Sequence, residues 1–164
     1  MPMPGKPSPA LQSVLAAIET GDDREQLARL TTSAVEELMP ATEVAMMLAL
    51  RGAVAVSMSG VRRDGRALDP IAIPTDQPEL ISAALRTRAV VHAGGDALTE
   101  IDRRLVSALG IEQAELVVTP VVSAGRIMAL LVVATRAAAD AALIGEIASA
   151  AGTCLTRLIR SALE

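Results

Sequence analysis

The sequence of 164 residues contains no Phe, Tyr or Trp, a single cysteine and a single histidine. Without aromatic rings, the chain has nothing to stack on a nucleobase, a flavin or a bilin, and it cannot form an aromatic cage around a cation. One cysteine excludes an intrachain disulfide. One histidine leaves no convincing nucleophile-histidine-acid set, and no established metal-ligand spacing surrounds it. We therefore expect no catalytic residue, no metal site and no cofactor.

A basic stripe and a long apolar segment are also absent. Arginines are scattered among acids, and only Arg62-Arg63 and Arg103-Arg104 are adjacent, whereas a nucleic-acid surface normally clusters its basic residues on one face. The first residues lack the apolar region of a secretory signal, and the longest apolar stretches have strand length or are interrupted by charge. The expected location is the cytoplasm, without nucleic-acid binding or membrane insertion.

The sequence is rich in aliphatic side chains, with 51% hydrophobic and 21% charged residues and a net charge of -4. These values favour a globular chain, and the length suits one domain with its own core. That core must be built from Ala, Val, Leu, Ile and Met, which pack through many small contacts. Four of the first nine residues are proline, so we expect a flexible arm over residues 1–9 and a single domain over residues 10–164.

The spacing of apolar residues predicts the order of the elements. Apolar residues three and four apart predict helices, one capped by Asp22 or Asp23 and one with Pro78 in its first turn. Apolar runs on either side of residues 51–52 and 124–126 predict two hairpins, and hence an antiparallel sheet. The predicted helices cover residues 9–20, 22–38, 78–88, 96 or 99 to 109, and 138–163, and the predicted strands cover residues 43–50, 53–59, 69–74, 90–91, 115–123 and 127–135.

Three segments carry a likeness to a known family. Residues 78–91 (PELISAALRTRAVV) form a helix that feeds a short strand, residues 117–133 (VVTPVVSAGRIMALLVV) form a hairpin, and residues 156–160 (TRLIR) end the last helix. These segments resemble the corresponding parts of GAF domains, and the likeness extends over residues 10–164. It implies an α+β, GAF/PAS-like fold with a central antiparallel sheet of five to six strands. Terminal helices would pack on one face, and short helices and loops would cover the other, where GAF ligands bind.

The resemblance also shows which chemistries of the family this chain lacks. The Asn-Lys-Phe-Asp-Glu signature of cyclic-nucleotide-binding GAF domains is missing, and bilin-binding members attach their chromophore to a cysteine in or near the pocket. Here Cys154 falls on the predicted last helix. Members that reduce methionine sulfoxide need several pocket cysteines. The resemblance therefore implies a regulatory module of a bacterial-type signalling system that is not an enzyme, contacts another signalling protein, and has a small metabolite as a further candidate partner.

One pocket candidate, His92, holds a position that borders the ligand pocket in the resemblance. His92 precedes Gly94-Gly95, and we expect either a pH-sensing or anion-binding group or an exposed histidine at a loop edge. The methionines either fill gaps in the aromatic-free core, line a pocket or form a deformable partner surface. The pocket candidates are Met46, Met58, Ile73, His92, Asp96, Thr119 and Met128.

Terminal helices of GAF family members commonly form a parallel dimer bundle, so the first and last helices are candidates for a homodimer interface. Two alternatives stay open beside the regulatory module. One is a dimerisation scaffold without a ligand, and the other is a GAF-type redox enzyme that uses Cys154, a residue whose spacing also suits a small buried hydrophobe. A polar, enclosed pocket beneath the His92 loop would favour ligand sensing, whereas a pocket filled by Met and Leu would favour the scaffold. The interface candidates are Leu11, Leu15, Ile18, Leu158 and Leu163.

Overall fold

The structure is a computed structural model that describes residues 9–77, 79–111 and 114–163. The predicted helix-start residue Pro78 and all but the last residue of the predicted proline-rich arm lie outside these ranges. The described elements are α1 (Pro9–Glu19), α2 (Arg24–Leu38), β1 (Thr42–Arg51), β2 (Val54–Arg62), β3 (Ala72–Pro74), α3 (Glu79–Thr87), β4 (Val91–Gly94), a 3-10 helix (Gly95–Ala97), α4 (Glu100–Ala108), β5 (Glu115–Ser123), β6 (Arg126–Thr135) and α5 (Ala141–Leu163).

The strands form one six-stranded sheet in the order β3-β2-β1-β6-β5-β4. Every neighbouring pair is antiparallel. Both predicted hairpins are confirmed, and each turn contains a glycine with positive φ, 63° at Gly52 and 79° at Gly125. Only glycine adopts this region without a steric penalty, so the two glycines locate the turns in the sequence.

Capping side chains determine where two of the helices begin. Asp23 caps α2 by accepting a hydrogen bond from the Gln26 backbone N–H at 2.7 Å, and the Gln26 side chain accepts one from the Asp22 backbone N–H. Thr99 caps α4 in the same way through the Asp102 backbone N–H. Thr99 therefore starts this helix, because Asp96 lies in the preceding 3-10 helix.

Helices cover both faces of the sheet. On the face that we call the helical face, α2 packs on β1 and β2, α5 packs on β5, and α1 packs on α2 and α5. On the opposite face, called the α3–α4 face, α3 and α4 pack over side chains from β1, β5 and β6. The predicted α+β class, the six strands and the placement of the terminal helices on one face are thus confirmed.

Strand β2 is longer than the sequence predicts, since it continues to Arg62 rather than stopping at residue 59. Gly60 suggests a break, but it serves a close approach inside the strand. A Cβ at this position would lie 2.3 Å from Cδ1 of Leu68. Glycine in a strand commonly marks such a site, where another chain segment needs the space of the missing side chain.

Helix α5 alone among the described helices is long and apolar enough, by length and composition, to cross a membrane. Its buried residues instead belong to the protein core, where Ile144, Ile147 and Ala151 pack with α1, α2 and the sheet. Length and hydropathy are therefore weak evidence for a membrane span here.

Candidate functional site

The layer between the sheet and helices α3 and α4 corresponds to the place where the resemblance predicts a ligand pocket. Apolar side chains from all these elements fill it, and each of its core members is at most 7% exposed. Because the fillers include branched and unbranched aliphatic groups of several sizes, they interlock without aromatic rings. The largest of them are Met46, Leu48, Leu80, Ile81, Leu98, Leu105, Leu109, Leu116 and Leu130.

One buried carboxylate of the described residues lies within this apolar layer. Asp102 on α4 is 1% exposed. One of its oxygens accepts a hydrogen bond from the Leu80 backbone N–H at 3.3 Å, and the other accepts from the Thr99 hydroxyl at 2.8 Å. Leu80 lies in the first turn of α3, where backbone N–H groups lack helical partners and favour a negative charge. Asp102 therefore ties the start of α3 to α4, which is a structural use of the charge.

An open cleft of about 1340 Å³ lies beside this layer, at the end of the sheet where four neighbouring strands begin or end. We call it the strand-end cleft. Its walls are the start of β1, the end of β4, the start of β5, the segment after β6, and helix α4 with the preceding 3-10 helix. The lining residues are Glu43, Gly94, Gly95, Asp96, Leu98, Arg103, Val106, Ser107, Gly110, Ile111, Ala114, Glu115, Arg136, Ala137 and Ala138.

The cleft carries charges of both signs. Arg136 forms an ion pair with Glu43, and Nδ1 of His92 lies 3.1 Å from a carboxylate oxygen of Glu115. Asp96 and Arg103, which also line the cleft, have no ion-pair partner among the described residues. Both are exposed. The cleft thus offers an unpaired carboxylate and an unpaired guanidinium to a binding partner.

Two glycines shape the wall formed by β4. A Cβ at Gly94 would lie 3.3 Å from Cα of Glu115, so glycine allows the two strands to approach closely here. Gly95 has a φ of +56° and turns the chain from β4 into the 3-10 helix. The turn at Gly95 places Asp96 at the cleft.

Arg62 fixes the far wall of the cleft from a distant part of the sequence. Its guanidinium donates to the Leu109 carbonyl at 2.7 Å and so caps the end of α4 beside Gly110. The same side chain pairs with Asp64 at 3.2 Å. The Arg66 backbone N–H, followed by the Arg62 guanidinium, holds the pKa of Asp64 below its ordinary value, because both stabilise the charged carboxylate.

The predicted pocket candidates do not come together in one pocket. Met46 and Ile73 lie on the α3–α4 face, whereas Met58 and Met128 pack on the helical face. Thr119 is also on the helical face, where it borders a groove beside α5. Asp96 lines the strand-end cleft, and His92 is exposed at its rim. The structure therefore corrects the grouping of these seven residues, since strand alternation sends them to opposite sides of the sheet.

The interface candidates differ in their exposure. Ile18 is 1% exposed and belongs to the core between α1, α2 and α5, so its proposed place in an interface is corrected. Leu11, Leu15 and Leu158 are partly buried, and Leu163 is 82% exposed. Cys154 is fully buried, as its helical spacing predicts, and its thiol lies 3.6 Å from the Gly21 carbonyl.

Sequence reasoning missed most of the charged lining of the cleft. Glu43, Glu115, Arg103 and Arg136 were not among the candidates, although three of them flank strand ends. Charged residues directly beside buried strands are the signal that was available. Within the described ranges, no three His, Cys, Asp or Glu side chains are grouped closely enough to hold a metal ion.

Comparison with known proteins gives matches in structure alone. Neither a family model nor a curated protein matches this chain. A methyl-accepting chemotaxis protein fragment, residues 122 to 287, is 18% identical with a TM-score of 0.70, and the match covers 93% of this chain and 99% of that one. The GAF domain of a phosphoenolpyruvate-protein phosphotransferase from Coxiella burnetii is 12% identical with a TM-score of 0.70, covering 94% and 95%.

A third similar structure is the phycocyanobilin-bound GAF domain of a cyanobacterial phytochrome, which is 14% identical with a TM-score of 0.70 and coverages of 93% and 94%. The sheet order, the two helical layers and these similarities define an α+β domain with a central antiparallel sheet covered on both faces. More specifically, the chain is a GAF-like domain by its fold. At these identities the likeness establishes the fold, and the function has to be argued from the site.

Proposed function

We propose that this chain is a non-catalytic regulatory module that acts in a signalling system by binding another protein through the strand-end cleft. The observation that carries the proposal is the filled layer between the sheet and helices α3 and α4. Side chains such as Met46, Ile81 and Leu105 occupy the space that a ligand would need. Recognition at the surface therefore has stronger support than recognition of a ligand inside this layer.

The size and openness of the strand-end cleft favour a protein segment as its occupant. Pockets that enclose small molecules commonly measure about 300–1,000 Å³ and bury most of the ligand. The cleft is larger, at about 1340 Å³, and open. The unpaired Asp96 and Arg103 give such a segment two opposite charges to match, and charge complementarity of this kind sets the specificity of protein association.

The similar structures support a signalling context. One is part of a methyl-accepting chemotaxis protein, and another belongs to a phosphoenolpyruvate-protein phosphotransferase. By analogy, we place this chain in the cytoplasm as a single bacterial regulatory domain over residues 10–164. Its terminal helices α1 and α5 would form a homodimer, with the exposed Leu163 at the interface.

The buried state of Cys154 supports a role without redox chemistry. The residue is fully enclosed and contacts the Gly21 carbonyl and the Arg157 guanidinium, each at 3.6 Å. Reactive cysteines are normally partly exposed, because an oxidant or substrate has to reach the sulfur. Here the thiol fills the junction between α5 and the α1–α2 connection.

The test compares charge-reversed variants in the native host. Cross-linking and affinity purification with quantitative mass spectrometry would be performed on the wild type, Arg103→Glu and Asp96→Lys. The matched control is Arg24→Glu, an exposed position at the start of α2. We expect a partner that the wild type and the control retain, that cross-links beside the cleft, and that the two cleft variants lose.

Binding of the identified partner would then be measured with purified proteins, where we expect each cleft variant to weaken the affinity by about tenfold or more. The proposal fails if the partner binds the cleft variants as tightly as the control. It also fails if native mass spectrometry shows one metabolite bound per protein molecule and a solution structure locates that metabolite between the sheet and helices α3 and α4.

A further inference from the structure

A second concave site, distinct from the strand-end cleft, lies on the helical face. It is a groove of about 370 Å³ between α5, strand β5 and the segment that leads from α3 into β4, and we call it the α5 groove. Its volume is in the range of small-molecule sites. The lining residues that matter for binding are Arg88, Val90, Thr119, Val122, Ala148 and Ser149.

Small residues along one side of α5 leave the groove open. Gly145, Ser149, Gly152 and Thr153 follow one another at spacings of four, three and one, which places them on one side of the helix. At Gly152 the strand approaches so closely that a Cβ would lie 2.3 Å from the Val122 carbonyl oxygen. A Cβ added at Gly145 would meet only Cγ2 of Val90, at 3.8 Å. The groove therefore widens toward the start of α5.

Thr119 provides a polar group at the floor of the groove. It is 2% exposed and lies in β5 between Val117 and Val121, both of which face the helical core. Its hydroxyl has no hydrogen-bond partner among the described residues, yet it is not sealed from solvent. Because the hydroxyl reaches the groove, it can bond an occupant in place of water.

Arg88 provides a positive charge at the rim. Its guanidinium donates one hydrogen bond to the Gly125 carbonyl, which anchors the side chain against the β5–β6 turn. No carboxylate of the described residues pairs with it. A guanidinium has five N–H donors in a planar fork that matches a carboxylate, so most of its donors remain available to a ligand.

The charged and polar groups that line the groove favour a negatively charged ligand. The lining contains Arg88 and several hydroxyl groups but neither Asp nor Glu of the described residues, and Glu146 on α5 is not part of it. A cation or a zwitterion would leave its ammonium group without a partner there. The apolar walls at Val90, Val122 and Ala148 suit a short carbon chain.

We propose that the α5 groove binds a small aliphatic monocarboxylate that carries a hydroxyl or carbonyl group. The carboxylate pairs with the Arg88 guanidinium, the carbon chain rests on the apolar walls, and the second oxygen of the ligand bonds the Thr119 hydroxyl. Binding requires no covalent step. Since the groove is partly formed by α5, an occupant would contact the same helix that packs on α1 and α2.

The test uses sodium 4-hydroxybutyrate as the probe and 4-hydroxybutyramide as its uncharged analogue. The two oxygen groups of the probe lie at opposite ends of the carbon chain, as required because Arg88 is held at Gly125 and the extended chain rises about 3.3 Å per residue between Thr119 and that turn. Titrations followed by amide chemical shifts should show saturable changes around Thr119, Val122 and Ser149 with the acid, and much weaker changes with the amide. We expect Arg88→Gln to weaken the affinity about tenfold or more, because it removes a charge-assisted bond. Thr119→Val should weaken it about threefold to tenfold.

Two further variants separate the groove from general effects. Arg86→Gln removes an exposed arginine that does not line the groove and should leave the affinity unchanged. Ser149→Leu should block the groove while its exposed position spares the fold, which thermal melting would check. These variants leave the strand-end cleft intact, so a failure here is distinguishable from a failure of the proposed protein contact.

The proposal is overturned if the amide binds as tightly as the acid, or if Arg86→Gln and Arg88→Gln weaken binding equally. It is also overturned if the shifts of the probe map elsewhere on the chain. A further contrary result would be that Ser149→Leu abolishes association with a protein partner while the probe does not bind the wild type, since the groove would then be a protein contact.

Discussion

At the scale of single residues, two neighbouring threonines illustrate how one hydroxyl costs stability while another adds to it. Thr42 in β1 and Thr135 in β6 are paired across the sheet, and both are at most 2% exposed. The Thr135 hydroxyl donates to the Ala137 carbonyl, but the Thr42 hydroxyl is buried without a hydrogen-bond partner among the described residues. An unpaired buried hydroxyl loses its bonds to water without compensation.

Replacing Thr42 with Val should therefore stabilise the protein. Valine has nearly the shape of threonine and suits a strand, and the change removes a buried polar group that has no partner. We expect the free energy of unfolding to rise by about 1 kcal/mol, measured by urea denaturation with an unchanged m-value.

The matched control is Thr135→Val, which removes a hydroxyl that does have a partner. It leaves the Ala137 carbonyl without its donor, so we expect a loss of about 1 kcal/mol or more. Equal effects of the two substitutions would contradict the assignment of different roles to the two hydroxyls.

These residue roles were largely beyond the reach of the sequence. Thr42 and Thr135 both flank apolar strands, and nothing in the neighbouring residues distinguishes them. Arg62 is a similar case, because it caps α4 at Leu109, a residue 47 positions away. Such contacts depend on the final arrangement of the strands and helices. By contrast, the burial of Cys154 followed from its helical spacing alone, since its neighbours one turn away on either side are apolar.

At the scale of elements, the packing of α5 against β5 depends on where its glycines lie. A Cβ at Gly152 would lie 2.3 Å from the Val122 carbonyl oxygen, closer than real Cβ atoms come. At Gly145 an added Cβ would meet only Cγ2 of Val90 at 3.8 Å, an ordinary contact. The two glycines occupy the same helix and the same groove, but only one of them is required by its surroundings.

We therefore predict opposite effects for the two alanine substitutions. Gly152→Ala should lower the free energy of unfolding by about 1–3 kcal/mol, because backbone has to shift to relieve the clash. Gly145→Ala should raise it by about 0.5–1 kcal/mol through better helix propensity. Thermal and urea unfolding of both variants would measure the difference.

A destabilised Gly145→Ala together with an unaffected Gly152→Ala would contradict the close contact between α5 and β5. Circular dichroism of both variants provides the necessary check that the helix content is retained. If both substitutions stabilise, then α5 stands farther from β5 than the structure shows.

Much of the arrangement of elements was predictable from the sequence, because local signals determine it. Glycines with positive φ located both hairpins, and capping residues located the start of α2. What the sequence did not determine was which phase of each strand faces which helical layer. Thr119 lies in phase with Val117 and Val121, but only the fold shows that α5 covers this phase. For that reason the residues predicted to share one pocket lie on two different faces of the sheet.

At the scale of the whole molecule, the sheet separates two helical layers, and each layer has a different concave site at its edge. The α3–α4 face is filled by aliphatic side chains, and its margin opens into the charged strand-end cleft. The helical face contains the α5 groove at one side and the junction of α1, α2 and α5 at the other. Helix α5 takes part in both regions of the helical face. It is therefore the element through which an occupant of the groove would affect the terminal helices.

The proposed homodimer makes a prediction about the exposed end of α5. Leu163 is 82% exposed, and the half-buried Leu15 and Leu158 also lie on the terminal helices. A dimer that pairs these helices would bury the Leu163 side chain. Introducing a charge there should therefore weaken the dimer, because an unpaired charge is costly inside an apolar interface.

We expect the wild type to be a dimer in light scattering coupled to size exclusion and in analytical ultracentrifugation. Leu163→Glu should raise the dimer dissociation constant by about tenfold or more, which corresponds to about 1.4 kcal/mol. The control is Ile101→Glu on α4, another helix position with an exposed apolar side chain, at 40% exposure. That variant should remain dimeric. Both variants should still unfold cooperatively on heating, which shows that each domain stays folded. A wild type that stays monomeric at every concentration, or a control that dissociates equally, would show that the ends of the terminal helices do not form the interface.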